Sequence, residues 1–155
     1  MDLIIWRHAE AKEAPEGGDD LLRPLTPRGE KQAIRMAEWL NRFLPETTRI
    51  LVSPALRTRR TADALGRKYR TMDALAPGAG VPQLLAAARW PDSREPVLVV
   101  GHQPTLGQVA AYLMAGAMPE VPWAVRKGAV WWLRVREREG ERQVVLHAVM
   151  APELA

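Results

Sequence analysis

Three short apolar runs, separated by stretches with helical spacing, constrain the fold of this chain more than any other feature. With two later runs they predict strands at Leu3–Trp6, Ile50–Ser53, Val97–Val100, Ala129–Val135 and Val144–Val149. The first three are almost wholly apolar, which is typical of buried parallel strands joined by helices. The last two flank a polar stretch, 137–142, which contains a glycine and predicts a hairpin. The sequence therefore predicts an α/β fold that ends in an antiparallel pair.

Helix starts are marked by proline next to a capping residue. Thr26-Pro27 and Ser53-Pro54 each pair a hydroxyl N-cap with proline at the first helical position, and Gln103-Pro104-Thr105 predicts a third start. A fourth helix is predicted around Pro82–Arg89. Residues 9–25 are predicted to form one long acidic loop, and loops of that length in a compact domain are often functional.

Length and composition exclude several classes of protein. The 155 residues fit one domain over residues 1–155, and zero cysteines exclude disulfides, thiol catalysis and thiolate zinc sites. No secretory signal pattern and no apolar stretch of about 18 residues are present, so we expect a cytoplasmic protein without a membrane partner. The net charge is +4 and only four of the 22 basic residues are lysine, which favours an anionic partner. No basic run is interleaved with aromatics, so nucleic acid is not expected.

Histidines and arginines follow the three apolar strands. Arg7-His8 follows the first strand, Ser53–Arg57 overlaps the end of the second, and Gly101-His102 follows the third. Because ligands bind beyond the carboxyl ends of parallel strands, these junctions are expected to converge. A guanidinium matches two phosphate oxygens, and nearby cations keep an imidazole neutral and nucleophilic. Helix starts near Pro54 and Pro104 add backbone N–H groups suited to an anion. Together these residues predict a phosphate site.

These motifs resemble those of the histidine phosphatase (phosphoglycerate mutase-like) superfamily. The resemblance rests on Arg7-His8, on Ser53-Pro54-Ala55-Leu56-Arg57-Thr58 at the family's Ser-Pro-x-x-Arg motif, and on Gly101-His102. Residues 23–29 and the terminal Met150-Ala151-Pro152 are similar to the phosphohistidine phosphatases of the SixA type. The resemblance implies a three-layer phosphoglycerate mutase-like fold, with helices on both faces of a mostly parallel sheet and a C-terminal antiparallel hairpin.

The resemblance also implies a mechanism without metal or cofactor. His8 would attack phosphorus to form a covalent phosphohistidine, which water then hydrolyses. Arg7, Arg57 and His102 would stabilise the charge on the transferring oxygens.

Three further residues are expected to bind substrate: Arg23, Gly101 and Gln103. Glycine at position 101 would let the backbone approach a ligand closely. Arg23 has an alternative role, a structural salt bridge with Asp20.

The general acid is where the chain departs from many superfamily members. The segment after the second helix offers only Asp73, and Glu10 or Asp19 from the long loop is an alternative donor. Phosphoserine must expel an alkoxide and needs a proton donor, whereas phosphohistidine expels imidazole, whose reference pKa is about 6.5. A missing acid therefore favours an N–P bond, although slow ester hydrolysis is also open.

We therefore expect a phosphatase that acts on protein-borne phosphohistidine and works as a monomer. The short stretch before Val97 leaves little room for a lid, so a side chain on another protein could enter. One alternative is a phosphatase of a small phosphorylated metabolite or nucleotide. Another is a non-catalytic phosphoprotein-binding module, but such a module would not need both His8 and His102.

Overall fold

The computed structural model describes residues 1–155, and at its centre is one six-stranded sheet. The strands are β1 (Asp2–Arg7), β2 (Arg49–Val52), β3 (Arg70–Thr71), β4 (Val97–Gly101), β5 (Val130–Arg138) and β6 (Glu141–Met150). Their order is β3-β2-β4-β1-β5-β6, with the first four parallel and the last two antiparallel. The predicted α/β fold with a C-terminal antiparallel hairpin is confirmed.

Four helices cover the two faces of this sheet. They are α1 (Pro27–Phe43), α2 (Leu56–Asp63), α3 (Val81–Ala88) and α4 (Thr105–Ala115). Short 3₁₀ turns lie at Asp20–Leu22, Asp73–Leu75 and Pro152–Leu154. No helix has both the length and the apolar character needed to cross a membrane.

Alternation along β1 divides the core into two clusters. Leu3 and Ile5 pack with residues of α3 and α4, whereas Ile4 and Trp6 pack with residues of α1 and α2. Successive side chains of a strand point to opposite faces, and all four are fully buried here. A strand that is covered on both faces must be apolar throughout. The continuous apolar run 3–6 therefore correctly predicted that β1 is buried.

Helix α1 begins as its sequence predicts. Thr26 caps the helix by accepting a hydrogen bond from the Gly29 N–H at 2.9 Å, and Pro27 occupies the first turn. The predicted apolar face is buried, including Met36 and Leu40. The helix is thereby fixed against β1 and β2, beside the loop that follows β1.

The start of α2 differs from the prediction. The helix begins at Leu56 after Ala55, and no side chain caps it. Ser53 is therefore not the N-cap, because Ala55 is still extended, with ψ of 143°. The Ser53 hydroxyl contacts both the Ala55 N–H, at 3.3 Å, and His102, at 2.7 Å.

Two features of the sheet were not predicted correctly from hydrophobic patterning. Strand β3 was missed because it has two exposed residues and no apolar pattern. The hairpin strands run further than predicted, so that only Glu139 and Gly140 remain in the turn, with φ of 54° and 81°. Two residues with positive φ suit a tight hairpin, and the polar ends of both strands pair outside the core.

Gly29 holds the loop after β1 close to α1. A Cβ atom at this position would lie 2.0 Å from the Glu10 carbonyl oxygen. Since Glu10 follows His8 by two residues, this close approach also positions the end of β1.

We expect Gly29→Ala to lower the free energy of unfolding. Alanine is favoured in a helix by about 0.5–1 kcal/mol, but overpacking against backbone costs about 1–3 kcal/mol or more and should dominate. Urea denaturation of both proteins measures the difference. The control is Glu30→Ala at the next, exposed position, which should change stability by less than about 1 kcal/mol. A stabilised Gly29→Ala protein would contradict the packing argument.

Candidate active site

The carboxyl ends of β2, β4 and β1 lie side by side, and backbone hydrogen bonds continue past them. The His8 N–H donates to the Gly101 carbonyl at 3.2 Å, and the Ser53 N–H donates to the Val100 carbonyl at 3.1 Å. The rings of His8 and His102 lie with their centroids 5.4 Å apart. Both histidines are buried, with 7% and 4% of their surface exposed. The structure thus brings the three predicted junctions together.

His8 is held in one tautomer. Its Nδ1 lies 2.7 Å from the Ala9 carbonyl oxygen, which can only accept, so Nδ1 carries the proton and Nε2 keeps a free lone pair. The segment is fixed further by the Ala9 N–H, which donates to Thr61 Oγ1 at 3.0 Å, and by the Gly128 N–H, which donates to the His8 carbonyl at 3.0 Å. An unprotonated Nε2 on a fixed ring is the form that a nucleophile requires.

Burial and cations keep the His8 ring neutral. Burial lowers the pKa of His8 most, Arg57, Arg7 and Arg23 lower it further, and together they outweigh the bond to Ala9, so the pKa falls to about 4. The imidazole is therefore uncharged near neutral pH.

His102 is oriented by Ser53. The Ser53 Oγ accepts from the Ala55 N–H at 3.3 Å, and the one acceptor within reach of its own proton is His102 Nε2, 2.7 Å away. This arrangement places the ring proton of His102 on Nδ1, which is buried and has no protein partner. Burial first, then His8 and Arg57, lower the pKa of His102 to about 3. A neutral His102 thus offers one N–H donor.

Three buried N–H donors around the two histidines lack a protein acceptor. They are Arg7 Nε, Arg57 Nε and His102 Nδ1. Arg7 is held through its Nη1, which donates to the Val125 carbonyl at 2.8 Å. A fourth such donor, Arg49 Nη1, lies at the opposite end of β2. Unsatisfied buried donors are rare, and three of them around His8 and His102 suit an anion with several acceptor oxygens.

The Asp20 carboxylate contacts two arginines, Arg57 and Arg23. Arg57 donates from Nη1 to the Asp20 carbonyl at 2.8 Å and from Nη2 to its carboxylate at 3.1 Å. Arg23 pairs with the same carboxylate at 3.3 Å, as the structural alternative predicted, and also donates to the Lys12 carbonyl. Burial alone would raise the pKa of Asp20, but Arg57 and Arg23 hold it below its usual value. Asp20 is therefore ionised.

Asp20 was overlooked as a site residue, since the sequence suggested it only as a partner of Arg23. Its contact with Arg57 spans 37 residues, which no local pattern predicts. The spacing of Asp20 and Arg23 within the long loop was the available signal.

Gln103 and Gly101 have structural contacts of their own. Gln103 donates from its side chain to the Trp123 carbonyl at 2.8 Å and accepts from the Gly107 N–H at 2.7 Å, so both ends of its amide are engaged. A Cβ atom on Gly101 would lie 3.4 Å from the Leu106 side chain, within the core.

Two of the three predicted candidate acids, Glu10 and Asp19, are hydrogen-bonded to other groups, and the third, Asp73, is exposed. Glu10 accepts from the Thr26 hydroxyl at 2.8 Å, and Asp19 accepts from the Leu21 N–H at 2.9 Å. Asp73 is exposed and makes no side-chain hydrogen bond or ion pair. No group of three or more histidine, aspartate or glutamate side chains is placed to hold a metal ion.

Comparison with known proteins identifies relatives across most of the chain. The model of the histidine phosphatase superfamily (branch 1) matches residues 3–76. Phosphohistidine phosphatase SixA of Escherichia coli is 32% identical over 127 residues, covering 77% of this chain and 78% of that protein. A SixA homologue from Haemophilus influenzae is 28% identical over 134 residues, covering 77% of this chain and 80% of the homologue. The structure of the protein histidine phosphatase SixA complexed with tungstate superposes with a TM-score of 0.75 at 28% identity, over 98% of this chain and 97% of that one.

We expect the rings of His8 and His102 to stay neutral well below the usual titration range. Imidazole ¹⁵N chemical shifts should show that both rings carry their single proton on Nδ1. Neither Nε2 should take up a second proton between pH 8 and 5.5, because the pKa values are about 4 and about 3. The variants His8→Gln and His102→Gln assign the signals. The unfolded chain takes up these protons near pH 6.5, so the free energy of unfolding should fall as the pH drops from 6.5 towards 4. Titration of either ring near pH 6.5 would refute this.

We expect Asp20→Asn to strengthen the binding of inorganic phosphate. The substitution removes a negative charge that pairs with Arg57 and competes with an anion. The Asp20 carboxylate is exposed to water, and a pair screened in this way is worth about 0.2–1 kcal/mol, so the dissociation constant should fall about 1.4- to fivefold. Titration calorimetry at pH 7 measures it, and Asp19→Asn, which keeps a capping oxygen, should leave it unchanged. Weaker binding in Asp20→Asn would mean that Asp20 mainly holds Arg57 in position.

Proposed function

Because this chain belongs to the histidine phosphatase superfamily, on its SixA-type branch, we propose that it hydrolyses phosphohistidine carried on proteins, with His8 as the nucleophile. Membership of the superfamily implies a phosphatase. The observation that supports the specific proposal is the free Nε2 of a neutral, fixed His8 beside the unpaired donors of Arg7, Arg57 and His102.

The proposed reaction has two displacements at phosphorus. His8 Nε2 attacks in line, a new N–P bond forms, and the N–P bond of the substrate breaks. The substrate imidazole keeps the electron pair and leaves as a neutral ring, because its other ring nitrogen carries a proton before the attack. Water then attacks the phosphoryl group on His8, and inorganic phosphate leaves as the His8 Nε2–P bond breaks. Each step places negative charge on the equatorial oxygens, which the N–H groups of Arg7, Arg57 and His102 would stabilise.

The leaving group decides between phosphohistidine and a phosphate ester. Asp20 is the only carboxylate in contact with the guanidinium groups of Arg57 and Arg23, and their positive charge keeps it ionised. An ionised carboxylate cannot donate the proton that an alkoxide requires. Imidazole leaves without such help because its conjugate acid is far stronger than that of an alkoxide. The charge state of Asp20 therefore supports an N–P substrate.

The short connection between α2 and β4 supports a protein-borne substrate. Between the end of α2 and β4 there are only β3, one 3₁₀ turn and the eight residues of α3. No long insertion covers the carboxyl ends of β1 and β4. A phosphorylated side chain presented by another protein therefore has room to approach His8.

We expect phosphate release from a phosphohistidine-bearing protein, and release at least about 100-fold slower from a matched phosphoserine peptide, since a positioned acid contributes about 10²–10⁴-fold. His8→Ala should abolish both, and mass spectrometry of the quenched wild-type protein should find the phosphoryl group on His8. The matched control is His147→Ala, which removes an exposed histidine on β6 and should retain activity. Full activity in His8→Ala, or equal rates on the two substrates, would refute the proposal.

A further inference from the structure

A cationic groove runs beside α1, between this helix, the C-terminal turn and the segment before β5. Two adjoining cavities, of about 190 and 470 Å³, share Arg28, Gln32 and Glu153 in their walls and so form one groove. The cations that line it are Arg28, Lys31, Arg35, Arg126 and Lys127. We call these five residues the basic groove.

Three of the cations form a stripe along α1. Arg28, Lys31 and Arg35 are spaced i, i+3 and i+7, which places them on one side of a helix. All three are exposed, and none forms an ion pair with an acid. Like charges at this spacing weaken an isolated helix. The stability of α1 therefore does not explain them.

The larger of the two cavities lies beside the end of β1, the strand that is followed by His8. Glu10 lines the larger cavity and follows His8 by two residues, so their Cα atoms lie within about 7 Å. Lys127 lines the same cavity and precedes Gly128, whose N–H donates to the His8 carbonyl at 3.0 Å. A molecule seated in the groove thus lies next to the end of β1.

The charge pattern of the groove favours a protein surface over a nucleic acid. Two carboxylates stand among the five cations: Glu10, which accepts from Thr26, and Glu153, which pairs with Arg126. They would repel a continuous phosphate backbone, and no aromatic side chain lines the groove for base stacking. An acidic protein surface that also carries a few cations would complement both the cations and the two carboxylates of the groove.

We propose that the basic groove docks an acidic face of the phosphoprotein substrate and thereby brings its phosphohistidine to His8. This inference rests on the proposed function and adds how the substrate protein is selected. Charge complementarity of this kind raises the association rate and weakens with salt. A small phosphorylated molecule would bind beside His8 without using the groove.

The test compares the wild-type protein with the double variant Lys31→Glu/Arg35→Glu. The control is Arg136→Glu/Arg138→Glu, which reverses two exposed cations at the far end of β5. The probes are a phosphohistidine-bearing domain of net negative charge and free phosphohistidine. We expect the groove variant to lose at least tenfold in kcat/KM on the domain, and to stay within twofold of wild type on free phosphohistidine. Raising the salt from 50 to 300 mM should slow the wild type on the domain more than the groove variant.

Titration calorimetry with the unphosphorylated domain separates docking from chemistry. Weaker binding by the groove variant alone supports the proposal even if the wild type releases no phosphate, in which case it is the proposed function that fails. Equal dissociation constants for all three proteins, or an equal loss in the control, would overturn the docking surface. Binding of a 20-nucleotide single-stranded RNA that depends on Lys31 and Arg35, while the domain binds equally well to all variants, would also overturn it and indicate a nucleic-acid surface.

Discussion

The burial of two neutral imidazoles among guanidinium groups is the constraint on which the rest of this structure depends. Burial disfavours a charged imidazole most, and Arg57 and Arg7 disfavour it further, so the pKa values of His8 and His102 fall to about 4 and about 3. Neutrality alone leaves the tautomer open. The Ala9 carbonyl settles it for His8, and the Ser53 hydroxyl settles it for His102. One ring thereby presents a lone pair, and the other presents a proton.

The sheet brings these opposite roles to one place. Strands β1 and β4 are neighbours, so His8 and His102 follow adjacent strand ends, and the His8 N–H donates to the Gly101 carbonyl. Strand β2 adds Ser53 on the other side of β4. The apolar core that fills both faces of β1 holds this register, because a slip of one residue would exchange its two faces. Core packing and site geometry are therefore set by the same strand.

The sequence was sufficient to predict the elements whose pattern is local. Residues close together in the sequence are enough to predict the apolar strands, the helix starts marked by proline and the alternation of β1. They are also enough to predict the junctions that carry Arg7, His8 and His102. Sequence reasoning failed where a side chain had a distant partner. The sequence predicts Ser53 as a helix cap because it precedes Pro54, but its hydroxyl also binds His102, 49 residues away, and the helix begins only at Leu56. Strand β3 has no apolar signal, and Asp20 reaches Arg57 only in the folded chain.

Asp20 links the electrostatics of the site to the chemistry proposed for it. Arg57, which would hold a phosphoryl group, pairs with this carboxylate together with Arg23, and the two arginines keep it ionised. A phosphate can reach the unpaired Nε of Arg57 directly, and it meets the Asp20 carboxylate only if it also takes the Nη2 group. Because the positive charge that favours phosphate also disfavours a protonated acid, one cluster cannot easily supply both functions. A substrate whose leaving group needs no acid resolves this conflict, and phosphohistidine is such a substrate.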